Sequence, residues 1–170
     1  MTLPVTILIP LYRSMRFADT LCQTIATHLD AGFPVRVSDR NGDQDCTDML
    51  RRRFGGHAGF AIDCRNDDEH WVANMNGLIA AAKTPYFRIL PHDDIATAHG
   101  TARLANALEN DPRLVLAFGQ IRAHGADGER LPQRDQLNQD LRPGRVRFDP
   151  ATALGLFWNG RCGGAFKGVA

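Results

Sequence analysis

The sequence predicts an α/β fold with a mostly parallel sheet and helices on both faces. Short β-branched runs alternate four times with amphipathic stretches over residues 5–118, and the connections between them are mostly short. The first run, residues 5–9, is apolar throughout, which is typical of a strand buried on both faces of a parallel sheet. A chain of 170 residues is long enough for one domain with a sizeable core.

The elements are identified in order from hydrophobic periodicity and from the residues that end them. The first strand covers residues 5–9, because Pro10 cannot continue a central strand. A helix is predicted over residues 16–29, since large apolar residues recur every four positions from Phe17 to Leu29. The same criteria predict the later strands at 35–38, 60–62, 86–90 and 114–118, and the later helices at 46–54, 71–82 and 101–110.

The alternation stops after Ile121. Residues 124–149 are polar and rich in Gly, Pro, Arg and Asp, which predicts a long loop of the kind that is usually functional or mobile. Residues 150–158 fit a short helix with Pro150 near its start, and residues 161–167 look like the beginning of a further element.

Composition and charge limit the kinds of partner and the cellular location that we expect for this protein. The formal net charge of +1 and the dispersed arginines argue against a nucleic-acid partner. The three consecutive arginines at residues 51–53 are expected in the last turn of a helix, where positive charges interact favourably with the helix dipole. The four cysteines show no close pair and no metal-ligand spacing, so reduced thiols are expected. With no signal-peptide pattern and no apolar run of membrane-span length, a cytoplasmic protein is expected.

Two adjacent carboxylates, Asp93 and Asp94, follow the strand predicted at 86–90, which Pro91 ends. Ligands of open α/β sheets bind just outside the carboxyl ends of the strands. Side-by-side carboxylates repel each other unless a cation or a hydroxyl lies between them, and Mg²⁺ takes one or two carboxylates together with substrate phosphates. The pair therefore predicts a metal-bridged nucleotide site; the alternative is a solvated acidic turn before a helix.

Two other strand ends are predicted at the same end of the sheet. Residues 11–13 follow the first strand and include Tyr12, while Asp39 follows the second. An aromatic ring can lie against a nucleobase, and a carboxylate can accept from a base N–H or a ribose hydroxyl. The Gly-rich dinucleotide fingerprint and the Walker phosphate loop are both missing, which favours a metal-bridged diphosphate.

The order and spacing of these segments resemble the family 2 glycosyltransferases of the GT-A fold, a Rossmann-like architecture. The resemblance spans about residues 4–120 and rests on residues 5–12, 37–39, 73–77 and 86–94, the last with a DXD-like acidic pair. It implies that Pro10 and Tyr12 open a nucleotide pocket, that Asp39 contacts the base and that Asp93 approaches the ribose. Asp94 would bind a Mg²⁺ or Mn²⁺ ion that bridges the donor's diphosphate.

Four departures from the family pattern accompany the resemblance. Arg13 stands where the family often has Asn, and its guanidinium is expected to reach a phosphate. The loop after Asp39 fits the family's Ser/Asp pattern only with a shift of about one residue. His70 occupies a position commonly held by Gly, which affects base or phosphate contacts. The family's catalytic base follows a segment like residues 163–167, and no catalytic residue is assigned here.

The resemblance implies that the chain binds a nucleotide-sugar, most simply a UDP-sugar, and transfers the sugar with inversion to a hydroxyl of a sugar, lipid or protein acceptor. Residues 1–122 would form the donor-binding part and residues 123–170 the loop-rich start of the acceptor side, within one domain. A peripheral position at the inner membrane face is the alternative location. The alternative functions are a truncated or degenerate nucleotide-sugar-binding domain without transfer activity, and a nucleotidyltransferase, although residues 11–14 contain no Gly.

The sequence also indicates roles for five further residues. His92 is expected to face solvent, with a third metal ligand as the alternative. Trp71 and Tyr86 lie in apolar periodic segments and are expected in the core, although Trp71 would also suit the pocket mouth. Asn74 and Asn76 are poor helix formers, and one of them is expected to hydrogen-bond a neighbouring loop.

Overall fold

A computed structural model describes residues 4–39, 42–64, 71–119, 122–125 and 127–132, and the backbone of 163–167. The strands are β1 (Val5–Leu11), β2 (Val35–Asp39), β3 (Phe60–Cys64), β4 (Tyr86–Ile89), β5 (Leu116–Gly119) and β6 (Gly163–Lys167). The helices are α1 (Ala18–Asp30), α2 (Gln44–Phe54), α3 (Trp71–Ala81) and α4 (Ala98–Asn110), with a short 3-10 turn at Ser14–Phe17 before α1. The chain divides into two compact units, Met1–Ala117 with Ala165–Ala170, and Phe118–Gly164.

The sheet has the strand order β3-β2-β1-β4-β6-β5. Strands β1 to β4 are parallel, with Ile7 opposite Val35 and Val5 opposite Tyr86. Strand β6 lies antiparallel to β4, with Phe87 opposite Phe166. The predicted α/β class with a mostly parallel sheet is confirmed, because each βαβ crossover returns the chain to the same direction.

Helices cover both faces of the sheet, as predicted. Because side chains alternate along a strand, Ile7 and Ile9 of β1 face one side, where they pack with α1, α2 and α4 in the larger core. Leu8 faces the other side and packs with Met75 and Leu78 of α3. The continuous apolar run of β1 is therefore explained by burial on both faces, with Val5, Ile7 and Leu8 at 0% exposure.

Pro10 was expected to end β1, and that expectation is wrong by two residues, since the strand continues to Leu11. The backbone groups of Ile7 face β2, and the carbonyl of Leu8 accepts from Leu90 beyond β4. Because the backbone groups of successive residues alternate between the two neighbouring strands, the nitrogen of Pro10, which carries no hydrogen, faces the β4 side. At that position β4 has already ended, at Ile89. No ladder hydrogen bond is lost there, so the proline is tolerated.

Other element boundaries differ by a few residues. Helix α4 begins at Ala98 rather than residue 101, because the Thr97 side chain accepts from the Gly100 N–H at 3.0 Å and caps the helix. Strand β5 begins at Leu116 rather than residue 114. Residues 163–167 form β6, where only the start of an element was predicted. Of the loop predicted at 124–149, the structure describes residues 124–125 and 127–132; the rest of it and the short helix predicted at 150–158 lie outside the described residues.

The second unit contains a tight turn. His124 and Arg130 form an antiparallel bridge, and the Gly125 N–H donates to the Glu129 carbonyl at 2.9 Å. Gly128 has φ 79°, a backbone conformation that a glycine adopts without steric cost.

The described cysteines are free thiols, as expected. They are Cys22, Cys46 and Cys64, and burial raises the pKa of each, that of Cys46 to about 12. Thiols with raised pKa values are poor nucleophiles at neutral pH, which indicates a packing role. Cys162 lies outside the described residues.

Candidate functional site

The candidate site lies at the carboxyl end of the sheet, where β1, β2 and β4 end side by side. Leu11 at the end of β1 is in register with Asp39 at the end of β2, and β4 ends on the other side of β1 with Ile89 opposite Leu8. Parallel pairing thus brings three segments that are distant in sequence to one end of the sheet. These are the segments that the sequence predicted to converge.

The loop after β1 presents two exposed side chains. Tyr12 is 52% exposed, and the guanidinium carbon of Arg13 lies 5.3 Å from the centre of its ring, within cation–π range. Arg13 has φ 50° and ψ 47°, the left-handed conformation that an L-residue adopts at a steric cost. Strained backbone of this kind clusters at ligand-binding sites. The loop therefore offers an aromatic face and a cation together.

A chain of hydrogen bonds joins this loop to the end of β2. The Ser14 N–H donates to Oδ2 of Asp43, and the Asp43 N–H donates to Oδ2 of Asp39 at 2.6 Å. The Ser14 hydroxyl in turn accepts from the Tyr12 N–H at 3.0 Å. Asp39 is only 2% exposed, and the Asp43 N–H holds its buried carboxyl group in place.

The acidic pair lies beyond β4, and both residues are exposed. The Asp94 N–H donates to the Pro91 carbonyl at 3.1 Å, which closes a tight turn. Partial desolvation of the Asp94 carboxyl raises its pKa, and the charge of Asp93 raises it further, while Arg88 and His92 act in the opposite direction. Cations near the pair thus favour the charged form of Asp94.

His92 fixes the turn to β1. Its Nδ1 lies 3.3 Å from the Pro10 carbonyl, which can only accept, so this nitrogen carries the proton. The ring also packs against Phe17, with centroids 5.5 Å apart. His92 is half-buried in a structural contact, rather than the solvent-facing loop residue that was expected.

Arg88 lies in β4, six residues before Asp94, and its side chain points to the face covered by α1 and α4. Its Nη1 donates to the hydroxyl of Thr101 at 2.6 Å. The same hydroxyl lies 3.1 Å from Nε2 of His28, a residue with 0% exposure. A buried polar chain of side chains from β4, α4 and α1 therefore anchors the Arg88 guanidinium.

The carboxylate oxygens of the acidic pair suit a hard divalent cation that is also bound by phosphate oxygens. Among the described residues, no group of three or more His, Cys, Asp or Glu side chains is arranged to hold a metal ion. Asp93 and Asp94 supply two adjacent carboxylates open to solvent, and Mg²⁺ sites commonly combine one or two carboxylates with substrate phosphate oxygens. The residues present therefore fit a cation whose remaining ligands come from a diphosphate and water.

Six of the seven predicted site residues lie at this end of the sheet: Pro10, Tyr12, Arg13, Asp39, Asp93 and Asp94. His70 lies outside the described residues. Sequence reasoning missed Asp43, whose backbone and side chain join two loops, and the buried chain of Arg88, Thr101 and His28. A cationic residue inside an otherwise apolar strand was the available signal for Arg88.

Two predictions about helix α3 have different outcomes. Trp71 was expected in the core and is 66% exposed, because it is the first residue of α3 and the apolar cluster of this helix begins with Met75. Its alternative placement at the pocket mouth remains a prediction. Asn74 is buried, and its amide lies 3.4 Å from the Ser38 carbonyl, so it is the asparagine that contacts a neighbouring element.

Solved glycosyltransferases share this architecture. S. aureus TarS 1–349 superposes with a TM-score of 0.61 at 14% identity, covering 77% of this chain and 39% of that chain. The same protein in complex with UDP gives a TM-score of 0.57 at 17% identity, covering 77% and 38%. The mannosyltransferase PcManGT from Pyrobaculum calidifontis, in complex with GDP-Man and Mn²⁺, gives 0.54 at 18% identity, covering 68% and 35%.

These likenesses show the fold, and they confirm the predicted resemblance to GT-A glycosyltransferases at that level. The chain spans less than two fifths of the length of each of these structures. No family model matches the sequence. No curated protein matches it either. Within the described part of the chain, no helix is long and apolar enough to cross a membrane.

Proposed function

We propose that this chain forms the donor-binding part of a glycosyltransferase, which binds a nucleotide-sugar through a divalent cation and transfers the sugar to an acceptor hydroxyl. The observation that supports this most directly is the meeting of the Tyr12–Arg13 loop, Asp39 and the Asp93–Asp94 pair at one end of a parallel sheet. The fold is shared with proteins solved with UDP and with GDP-Man. A UDP-sugar is the proposed donor.

The proposed base pocket lies between the ends of β1 and β2. Tyr12 offers an exposed ring for stacking, and Asp39 offers a buried carboxylate that accepts from donors. A uracil N–H is a donor of the right kind for such an anion. Arg13, next to Tyr12, would approach a phosphate of the same nucleotide. His70 is proposed to contribute from the segment before α3.

The proposed diphosphate and sugar site lies at the end of β4. Asp93 would accept from a ribose hydroxyl, and Asp94 would hold a Mn²⁺ or Mg²⁺ ion together with the diphosphate. When bound, such a cation stabilises the negative charge that develops on the leaving nucleoside diphosphate. Asp93 and Asp94 orient the donor so that its anomeric carbon faces the acceptor side.

The proposed reaction is an inverting displacement. The oxygen of the acceptor hydroxyl forms a bond to the anomeric carbon while the bond from that carbon to the diphosphate oxygen breaks. The proton of the hydroxyl passes to a general base. Catalysis of this kind typically accelerates a reaction by a factor of about 10²–10⁴. Because attack comes from the face opposite the leaving group, the configuration of the anomeric carbon inverts.

Calorimetric titration of UDP tests the donor proposal. We expect UDP to bind in the presence of Mn²⁺ and to bind much more weakly with EDTA; GDP and ADP serve as base controls. Equal UDP affinity with and without EDTA would exclude a metal-bridged diphosphate. Tighter binding of UTP than of UDP-sugars would instead favour a nucleotidyltransferase.

Release of UDP from UDP-GlcNAc and other UDP-sugars, with and without candidate acceptors, tests transfer. Acceptor-stimulated release supports a transferase. Binding of the donor without any release in this assay would favour a donor-binding domain that lacks transfer activity.

A further inference from the structure

Asp43 joins three elements at the carboxyl end of the sheet, and each of its polar groups makes one of the connections. Its N–H donates to Oδ2 of Asp39 at the end of β2, over 2.6 Å. Its side-chain Oδ2 accepts from the N–H of Ser14 in the loop after β1. Its carbonyl accepts from the Thr47 N–H in α2 at 3.0 Å. One residue therefore holds together the end of β2, the loop after β1 and the start of α2.

The side chain of Asp43 is not used in the way that its place in the helix favours. Asp43 is the N-cap residue of α2, a position where an aspartate commonly accepts from an N–H of the first helical turn. Its side chain makes no such capping bond, and it bonds to Ser14 of another element instead. The helix thus lacks a stabilising side-chain cap, while the loop after β1 gains a fixed point of attachment.

The connection continues from Ser14 to the two exposed side chains of this loop. Ser14 is 0% exposed, and its hydroxyl accepts from the Tyr12 N–H at 3.0 Å. Arg13 lies between these two bonded residues and has φ 50°. An L-residue keeps this left-handed conformation only where its surroundings hold it there. Since Asp43 holds Ser14 and Ser14 holds Tyr12, the two hydrogen bonds enclose the strained residue and fix the loop backbone on both sides of it.

We infer that Asp43 is a positioning residue for the donor, which holds the Tyr12–Arg13 loop in the conformation that binds the base and a phosphate. This inference rests on the proposed function, and it adds a residue that acts from behind the binding loop. Asp43 acts through Ser14 rather than by contact with the nucleotide.

Preorganisation of the loop is the physical reason for the expected effect on affinity. Tyr12 and Arg13 are both exposed, so packing against the core does not hold their side chains in place. A loop without an anchor populates several conformations, and a nucleotide that binds it must then offset the lost conformational entropy. With the anchor present in the free protein, the loop is already ordered before the nucleotide arrives.

Calorimetric titration of UDP at saturating Mn²⁺ tests the inference in variants of this chain. Asp43→Ala removes the acceptor for the Ser14 N–H and should weaken UDP binding about three- to tenfold. Asp43→Asn keeps a side-chain oxygen that accepts from Ser14, so it should retain most of the affinity of the parent chain. Asp45→Asn is the matched control, because Asp45 is an exposed acid in the first turn of the same helix. It should leave the affinity unchanged.

A double-mutant cycle separates positioning from a general effect on the fold. In a background that carries both Tyr12→Ala and Arg13→Ala, the loop has no side chains left to position. Asp43→Ala should then change the UDP affinity by less than about twofold, because effects are not additive when one residue acts through others. A purely structural role would give the same fold-change in both backgrounds.

Binding of Mn²⁺ alone, measured by electron paramagnetic resonance, is the second readout. The acidic pair follows β4, which lies on the other side of β1 from β2, so Asp43→Ala should not change this binding. If Asp43→Ala does not fold, Ser14→Ala removes only the hydroxyl that accepts from Tyr12. It should weaken UDP binding in the parent chain but not in the Tyr12→Ala, Arg13→Ala background.

The outcomes distinguish this inference from the proposed function. If the parent chain binds no UDP in the presence of Mn²⁺, the proposed function fails and the inference fails with it. If the parent binds UDP but Asp43→Ala binds it equally well, weakens it equally in both backgrounds, or also weakens the binding of Mn²⁺ alone, only the inference is overturned. A loss of UDP affinity that Asp43→Asn restores, and that disappears in the Tyr12→Ala, Arg13→Ala background, supports it.

Discussion

The backbone N–H of Asp43 donates to Oδ2 of Asp39 over 2.6 Å, and this bond closes the connection between β2 and α2. Asp39 is thus the last residue of a strand, and its buried side chain also anchors the start of a helix. Its proposed contact with a nucleobase uses the same carboxylate. Mutations at Asp39 can therefore act through stability or through binding, and the two must be separated.

A comparison of Asp39→Asn with Asp39→Ala separates the effect on stability from the effect on nucleotide binding. Asparagine keeps one oxygen that accepts from Asp43, so the free energy of unfolding should stay close to that of the parent chain. Alanine leaves the Asp43 N–H without this partner and should lower the free energy of unfolding by about 1–3 kcal/mol. Both should weaken UDP binding by about 1–3 kcal/mol, because the asparagine amide cannot replace the second oxygen as an acceptor.

Urea unfolding and calorimetry with Mn²⁺ measure the two effects, and metal dependence should persist in both variants. Asp30→Asn is the control, since Asp30 is an exposed acid at the far end of α1. If Asp39→Asn binds UDP as tightly as the parent chain, Asp39 has a structural role only.

Arg13 gives a prediction with opposite signs for stability and binding. Its φ of 50° lies in the left-handed region, where a β-carbon costs about 1–2 kcal/mol and glycine has no such cost. Arg13→Gly should therefore unfold at higher urea concentration than Arg13→Ala. Both variants lack the guanidinium, so both should bind UDP with Mn²⁺ more weakly by about 1–2 kcal/mol, in the range of a charge-assisted hydrogen bond.

The comparison of the two variants is the check, because each serves as control for the other. Equal stability would show that the loop relaxes without Arg13. Affinity for UDP equal to that of the parent chain in both would show that the guanidinium does not reach the nucleotide.

The sequence predicted the parallel sheet because the evidence for it is local. The apolar run of β1 and the four-residue spacing of α1 are each visible within one element. The placement of Tyr12, Asp39 and the acidic pair at one end of the sheet then follows from topology, since all parallel strands end on the same side. Local pattern and one general rule were sufficient for most of the site.

The parts that were missed depend on contacts between distant residues. The buried contacts of Thr101 with His28 and with Arg88 join residues separated by 73 and 13 positions. No periodicity indicates that His28, on the buried face of a helix, meets a threonine of α4. Trp71 was placed in the core because its segment is apolar, but a helix start that projects past the packed cluster leaves it exposed. Burial at the ends of elements depends on tertiary packing, which a sequence pattern does not encode.

His28 makes stability depend on pH. Burial lowers its pKa, the bond to the Thr24 carbonyl partly offsets this, and the charge of Arg88 lowers it further. As the pH falls below about 6.5, the ordinary value for histidine, the unfolded chain takes up a proton that the folded chain refuses. The unfolded state then binds more protons, so the free energy of unfolding should fall with pH until the folded pKa is reached.

Urea unfolding between about pH 8 and about pH 5 measures this dependence. His28→Gln removes the titrating group and should flatten the curve in this window, although it lowers stability at every pH. His99→Gln changes an exposed histidine of α4 and should leave the slope as in the parent chain. A slope that His28→Gln does not reduce would assign the pH dependence to other groups.

We expect the two residues of the acidic pair to have different roles. Asp94 is proposed to hold the metal ion and Asp93 the ribose, so Asp94→Asn should abolish the advantage that Mn²⁺ gives to UDP binding. Asp93→Asn should weaken UDP binding by about 0.5–1.5 kcal/mol, the typical worth of one hydrogen bond, and keep the metal dependence. Calorimetry of each variant with Mn²⁺ and with EDTA measures both quantities.

Both side chains are exposed, so thermal unfolding should change little. If Asp94→Asn retains the full effect of Mn²⁺, the cation is held elsewhere or is not used, and the solvated acidic turn is then the correct interpretation of this pair.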